Sequence, residues 1–329
     1  MTMVGWAFDG LLGLALIVLG IRILFVTSLF HAVVLFICLG LMMALAWVRL
    51  GATDVALAEA GIGAALTGVL LVDLLHKLRR PDGRDTIGEG PPNASHPSYA
   101  WLRLLGSGLA ALLVLLLLLL VVAESPRSGN GLSGEVLERM GATGVTHAVT
   151  AVLLDFRSLD TFLELTVLFV AVIAMLTVRH TDELSSQLSF SVPRDIVFDW
   201  MWRLLLPLLA LVAGYLFWLG SFASGGAFQS GILVSAMLIL LSLTGESPLE
   251  RLSEFMWRVL IVSGLITFLL VGTGTLVSGR AFLDYPPGWA SSLIFVLELM
   301  ATVTIGMSLV TLVLGLSAPM KLKRKPESS

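Results

Sequence analysis

The sequence predicts an all-α, polytopic integral membrane protein with about nine transmembrane helices, its N-terminus outside and its C-terminus cytoplasmic. Three observations predict it. Hydrophobic residues make up 57% of the chain and charged residues only 13%, with a mean hydropathy of +0.96. Apolar segments of about eighteen or more residues recur, each long enough to cross a bilayer as a helix. The short alternating strands of a membrane barrel do not occur in the pattern. The net charge of −3 says less than where the charges fall.

The expected spans are Trp6–Val26, Leu29–Val48, Asp54–Leu75, Trp101–Ala123, Asp160–Val178, Trp200–Leu219, Phe228–Leu243, Trp257–Val277 and Trp289–Leu316. Tryptophan opens several of them, as an interfacial belt does. The first lacks a basic leader and a cleavage site, so it reads as a retained helix. The third carries acids in an apolar run. Ala56, Ala60, Ala64 and Gly68 recur every four residues there, a small-residue face that lets another backbone approach closely. Asp54, after Thr53, is placed to cap the helix start. Asp73 lies beside His76 and Lys77, where interfacial pairing is expected. The leucines of 112–120 read as a lipid-facing run.

Two polar breaks interrupt the apolar pattern. The first holds RPDGRDTIGEGPPNASHP and reads as a linker over 81–99. The second is shorter, near 181–199. They divide the chain into a three-helix module (1–80), a two-helix module (100–182) and a four-helix module (183–329). The breaks fit either joints between once-separate subunits or ordinary loops. With nine spans, Lys77, Arg79, Arg80, Arg84, Arg179, Arg194, Arg203, Arg251, Arg258 and the tail Lys321, Lys323, Arg324 and Lys325 fall on one face, here called cytoplasmic. Arg49, Arg127, Arg139, Arg157 and Arg280 fall on the other, and Arg22 snorkels from the inner end of the first span.

Three spans running from outside to inside each hold a glutamate: Glu59, Glu164 and Glu298. Each is roughly 6–14 Å below the outer end of its helix at about 1.5 Å per residue. A charge in hydrocarbon costs several kcal/mol, so such acids face protein or water and mark ion or proton paths. The competing reading is a hydrogen bond to a neighbouring subunit. Arg157, Asp160 and Glu164 are spaced to share a helix face, which predicts an Arg157–Asp160 pair and a free, deeper Glu164. Neither Glu59 nor Glu298 has a basic neighbour at helical spacing.

The remaining motifs exclude more than they suggest. Cys38 is the single cysteine, so no intrachain disulfide, iron–sulfur cluster or cysteine zinc site is expected. His31, His76, His96, His147 and His180 lack partners at metal-ligand spacing, so no resident metal is expected beyond a transient Na+ near Glu59. The loop SGGAFQSG (224–231), with Gly225, Gly226, Phe228, Gln229 and Gly231, permits a tight backbone at the mouth of a span. It lacks the lysine of a phosphate loop and follows no strand. No nucleophile–base pair, cofactor motif or nucleic-acid signature is present in the sequence.

LGATDVALAEAGIGAALTGVLL resembles the D-type subunit of membrane-bound hydrogenases, a module also found in the C-terminal region of the large A-type subunit of Mrp-type Na+/H+ antiporters. VTAVLLDFRSLDTFLELTVLF (149–169) resembles the E-type module that follows it. From about Phe198, RLLLPLLALVAGYLF, SGGAFQSGILVSAMLIL, FLDYPPG and the span around Glu298 resemble the B-type subunit of the same antiporters. The chain departs from these families at Leu163, where glycine is usual, at Ser224, Ala227 and Ser230 in the loop, and at His147, where asparagine is common. The resemblance implies a fused D–E–B subunit of a prokaryotic plasma (inner) membrane complex, with large antiporter-like subunits and a small C-type subunit as partners. It implies proton or Na+ relay at Glu59, Glu164 and Glu298, with Asp54, Asp160 and Arg157 beside them. Its rivals are a subunit of an ion-pumping hydrogenase or complex I-like redox complex, a structural spacer, and an independent carrier.

Overall fold

A computed structural model describes residues 3–71, 100–124, 131–181, 196–243, 252–286 and 288–314. Among the described residues the protein is all-helical, with no strand. The predicted linker, residues 182–195 of the second break, Asp73, His76, His96, Arg127, Arg194, Arg251 and the basic clusters at 77–84 and 321–325 lie outside the described residues.

The elements in chain order are α1 (Met3–Phe25), α2 (Leu29–Arg49), α3 (Thr53–Leu71), α4 (Ala100–Glu124), α5 (Ser133–Arg139), α6 (Ala148–Ala151), α7 (Ser158–Thr181), α8 (Ile196–Leu219), α9 (Ala227–Leu243), α10 (Glu254–Val277) and α11 (Ala290–Leu314). Each of the nine expected spans has its helix. Over the described residues seven helices are long and apolar enough to cross a membrane; Gly108–Glu124 and Ala227–Ser242 are shorter apolar stretches. Helices α5 and α6 lie between expected spans, where the apolar pattern predicts no element.

The helix ends follow from local chemistry. α2 stops at Leu50 because Gly51 takes φ +76°. Its N–H donates to the Val48 carbonyl, and the Ala52 N–H reaches back to the Trp47 carbonyl, which satisfies carbonyls that the helix end leaves free. α10 starts where Ser253 Oγ accepts the Met256 N–H at 3.1 Å. α1 and α2 form a hairpin tied at one end by a bidentate pair, Arg49 Nε–Asp9 Oδ1 at 2.7 Å and Arg49 Nη2–Asp9 Oδ2 at 2.9 Å.

Two helices widen. α3 is π-helical over Glu59–Leu66, and α6 continues as a π-helical turn over Val152–Phe156. A π segment inserts an extra residue per turn and re-aims the side chains that follow. The small-residue face of α3 does what its pattern predicts. Ala56 and Ala64 are buried, and α3 lies close on α2: a Cβ at Gly40 would meet Ala64 Cβ at 3.0 Å, and one at Gly68 would meet Ile37 Cγ1 at 2.7 Å.

The core sits around α11, which touches α7, α8, α9 and α10. The buried share of its most apolar stretch is 67%, against 6% for α1, so α11 is an interior helix and α1 a peripheral one. Glycines set the spacing. A Cβ at Gly231 would lie 2.8 Å from Ile305 Cγ2, and one at Gly264 would lie 3.0 Å from Thr304 Oγ1. Such close approach suits helix association in lipid, where tight packing replaces the hydrophobic drive. Every side chain described on α4 is exposed on this chain, Leu112 to Leu120 included, so exposure singles out no one side of it.

Candidate functional site

The described residues converge on the loop between α8 and α9. Gly226 takes φ +102°, and its N–H donates to the Leu216 carbonyl at 2.8 Å. This folds the loop back so that Gly220 and Gly226 press together; a Cβ at Gly220 would lie 2.5 Å from Gly226 Cα. Only glycine allows that contact and that φ.

Glu298 of α11 lies against the loop. It is 2% exposed, roughly 12 Å in from Ala290 at about 1.5 Å per residue. Its Oε1 fills the space that side chains would need at both glycines: a Cβ would come within 2.5 Å of it at Gly220 and 2.6 Å at Gly226. The Ala227 N–H, at the start of α9, donates to this carboxylate. A helix N-terminus favours an anion or a carbonyl-like acceptor there. Oε2 is buried with no hydrogen-bond partner among the described residues. Hydroxyls continue inward from the carboxylate. Thr302 Oγ1 donates to the Glu298 carbonyl at 2.8 Å and lies 3.0 Å from Ser230 Oγ. On the side facing α10, Thr304 Oγ1 accepts the Gly264 N–H at 2.7 Å. Ser308 Oγ, further along α11, is also buried without a partner among the described residues.

Two arms hold the loop. The first comes from α3: Gly225 N–H donates to Asp54 Oδ1 at 3.0 Å, Gln229 Nε2 donates to the Asp54 carbonyl at 3.3 Å, and Thr53 and Ser224 share a hydroxyl contact. The second comes from α6 and the segment before it. The N–H groups of Thr146 and His147 both donate to the Ser221 carbonyl, and Thr150 Oγ1 donates to the Gly220 carbonyl. His147 joins the arms, with Nε2 3.5 Å from Asp54 Oδ2 and Nδ1 3.2 Å from Thr150 Oγ1. Asp54 is therefore not the helix cap expected from its position; the N-cap is Ala52, without a side-chain bond, and the carboxylate turns outward to the loop. Asp54→Ala removes an acceptor for the Gly225 N–H and the partner of His147 Nε2. The expected loss is about 1.5–3 kcal/mol of stability, the range for hydrogen bonds to charged groups. Thermal unfolding of the detergent-solubilised protein checks it. Asp54→Asn, which keeps an acceptor, loses less; equal melting temperatures for wild type and Asp54→Ala would remove the arm.

The other predicted residues are dispersed. Glu59 opens the π segment of α3 and is half-buried; its carboxylate folds back over Gly63 on the same helix. Gly61, two residues on, meets Ile232 of α9. Arg157 and Asp160 form the expected ion pair on the surface, with Arg157 just ahead of α7 rather than in it. Glu164 is exposed on α7. In the loop motif, Gly225 and Gly226 form the turn, Phe228 packs on the core cluster, Gln229 holds Asp54, and Gly231 faces Ile305. Sequence reading missed His147, Thr150 and the Ser230–Thr302 pair. Their partners are far away in the chain; Asp54 and Gly225 alone are 171 residues apart.

The segment 282–286 forms a second tie. Leu283 takes φ 62° and its N–H donates to Thr275 Oγ1 at 3.0 Å; Tyr285 Oη donates to the Leu154 carbonyl at 2.8 Å. Beside it, Asp155, Arg157, Ser158, Arg280 and Asp284 line a cavity of about 720 Å³. Partial burial, then the neighbouring Asp284, pushes the Asp155 carboxyl above the usual range. Among the described residues no group of His, Cys, Asp and Glu is arranged to hold a metal ion.

Comparison with known proteins agrees with this architecture. Residues 14–80 match MbhD, the family model for the D-type subunit of MBH, and residues 197–318 match a domain related to the MnhB subunit of Na+/H+ antiporter. A chain in the structure of the Mrp complex from Dietzia sp. DQ12-45-1b aligns over 93% of this chain with 25% identity and a TM-score of 0.70. This chain spans about a third of that one, 34% of its length. A chain of the membrane-bound sulfane sulfur reductase, an archaeal respiratory membrane complex, aligns over 64% of this chain and 97% of its own, with 22% identity and a TM-score of 0.51; this likeness is one of fold. A search of curated proteins gave no match.

Proposed function

Because the chain is a fused MbhD/MnhB-like membrane subunit, we propose that it serves a multisubunit Na+/H+ antiporter complex of the Mrp type as an ion-path subunit, not as an enzyme. Its companions are then large antiporter-like subunits and a small C-type subunit in a prokaryotic plasma (inner) membrane. The chain would cross nine times, N-terminus outside, as D-type (1–80), E-type (100–182) and B-type (183–329) modules.

The observation that carries this reading is Glu298. A charged side chain at the centre of a bilayer costs about 2.5–3.5 kcal/mol even on the lenient insertion scale. Here a carboxyl is kept inside an interior helix with one oxygen held by the α9 amide and the other free to carry or release a proton. Glu59 and Glu164 are the further relay positions in this reading, with Asp54, Asp160 and Arg157 beside them and Na+ passing near Glu59.

Vesicles holding the assembled complex test it. Added Na+ is expected to dissipate an imposed proton gradient, and Glu59→Gln to slow this by at least about tenfold, a barrier increase of about 1.4 kcal/mol. No cation-dependent proton movement by the complete wild-type complex would overturn the antiporter reading. Unchanged exchange by correctly assembled Glu59→Gln would take Glu59 out of the path. The match of residues 14–80 to MbhD favours one second reading, a membrane subunit of a redox-driven complex. Hydrogenase or quinone-reducing companions co-purifying with the chain would select it.

A further inference from the structure

Glu164 presents a problem the chain does not solve by itself. It lies six residues into α7, roughly 9 Å from Ser158 at about 1.5 Å per residue. It is exposed, and no described residue gives it a hydrogen bond or an ion pair. Arg157, the nearest cation in sequence, is already paired with Asp160. Asp160, four residues back on the same side, adds repulsion.

The surroundings are not those of a water-facing helix. At 100° per residue, Leu163, Glu164, Val167, Val170, Ala171 and Ala174 share one arc of α7, and all are exposed on this chain. Val167 is 69% exposed and Leu163 56%, whereas Leu165 and Val172 on the opposite arc are 0% and 1% exposed against α10 and α11. The arc is therefore apolar from Leu163 to Ala174 except for Glu164 at its edge, and the Arg157–Asp160 pair lies one turn before it. Against lipid that carboxylate has no donor. The alanines leave room for a second backbone to come close.

We infer that this arc is a docking surface for a transmembrane helix of a companion subunit, which presents a hydrogen-bond-donating side chain to Glu164. The argument is charge complementarity: the apolar part of the arc fits lipid or protein equally, but an uncompensated acid does not fit lipid tails and is met by a protein that supplies a donor. The inference rests on the reading above that the chain works within a membrane assembly. It goes further in assigning Glu164 to a site that this chain leaves half-built.

A photo-crosslinking residue at Val167, in the intact complex in native membranes, reads the surface directly. The expected product is an adduct with a membrane subunit of the same complex. Glu164→Gln, which still accepts a hydrogen bond, keeps the adduct. Glu164→Leu, which matches lipid and leaves the isolated chain folded by thermal unfolding, reduces it by at least about tenfold, the equivalent of 1.4 kcal/mol. Lipid adducts alone, an adduct within this chain, or an adduct indifferent to Glu164→Leu would each overturn the inference. Exchange measured in the same membranes keeps the two ideas apart: a lipid-only adduct in a complex that still exchanges Na+ for H+ sinks the surface and leaves the antiporter reading standing.

Discussion

Glu298→Gln is expected to leave the complex assembled and to lower its cation–proton exchange by at least about a hundredfold, within the range for losing a positioned proton-transfer group. The substitution is nearly isosteric. The amide oxygen still accepts from the Ala227 N–H and still fits between Gly220 and Gly226. What it cannot do is gain or lose a proton at the position of Oε2. Stability should therefore change by no more than about 1 kcal/mol, the net worth of a typical internal hydrogen bond. Glu298→Ala is the harsher control, since it leaves the Ala227 amide unsatisfied and a void under the loop. Exchange rates per assembled complex, with assembly measured by co-purification, decide the matter. Wild-type rates in Glu298→Gln would reduce this carboxyl to a structural cap for α9.

Gly226→Ala should be strongly disruptive. Two costs add. A non-glycine residue at φ +102° is strained by about 1–3 kcal/mol. The new Cβ would also lie 2.6 Å from Glu298 Oε1, and the loop that would have to yield is tied at Asp54 and at Ser221. A clear fall in the melting temperature of the isolated chain is expected. The double variant Gly226→Ala with Glu298→Ala separates the costs, because it removes the collision and keeps the strain. Partial recovery of stability is the expected result; no recovery would mean that backbone strain alone accounts for the loss.

The fold is readable because apolar length is a one-dimensional signal. Each expected span has a helix within a few residues, for example Glu254–Val277 for the expected Trp257–Val277. The small-residue face of α3 and the Arg157–Asp160 pair are also readable, since both depend on spacing within one segment. The loop over Glu298 is not. Its glycines are visible as a permissive backbone, but nothing in the string says that Gly220 and Gly226 meet, or that a glutamate many residues later fills the gap. Asp54 illustrates the limit most plainly. Its position at a helix start argues for a cap, and its long-range partners Gly225 and His147 win instead. The three glutamates also part company in space. Similar depth along three helices says nothing about azimuth, and azimuth puts Glu298 inside and Glu164 outside.

The enclosure of α11 bears on how the chain is made. Ribosomes deliver α7 to α10 first, and the helix destined for the middle arrives after its neighbours. Until then the grooves at Gly231 and Gly264 have nothing to grip, and the hydroxyls of Ser230 and Ser263 lack the Thr302 and Thr304 they meet in the finished bundle. The nascent half-bundle must therefore stay open, or be shielded by the insertion machinery, long enough for a latecomer to be threaded into its centre.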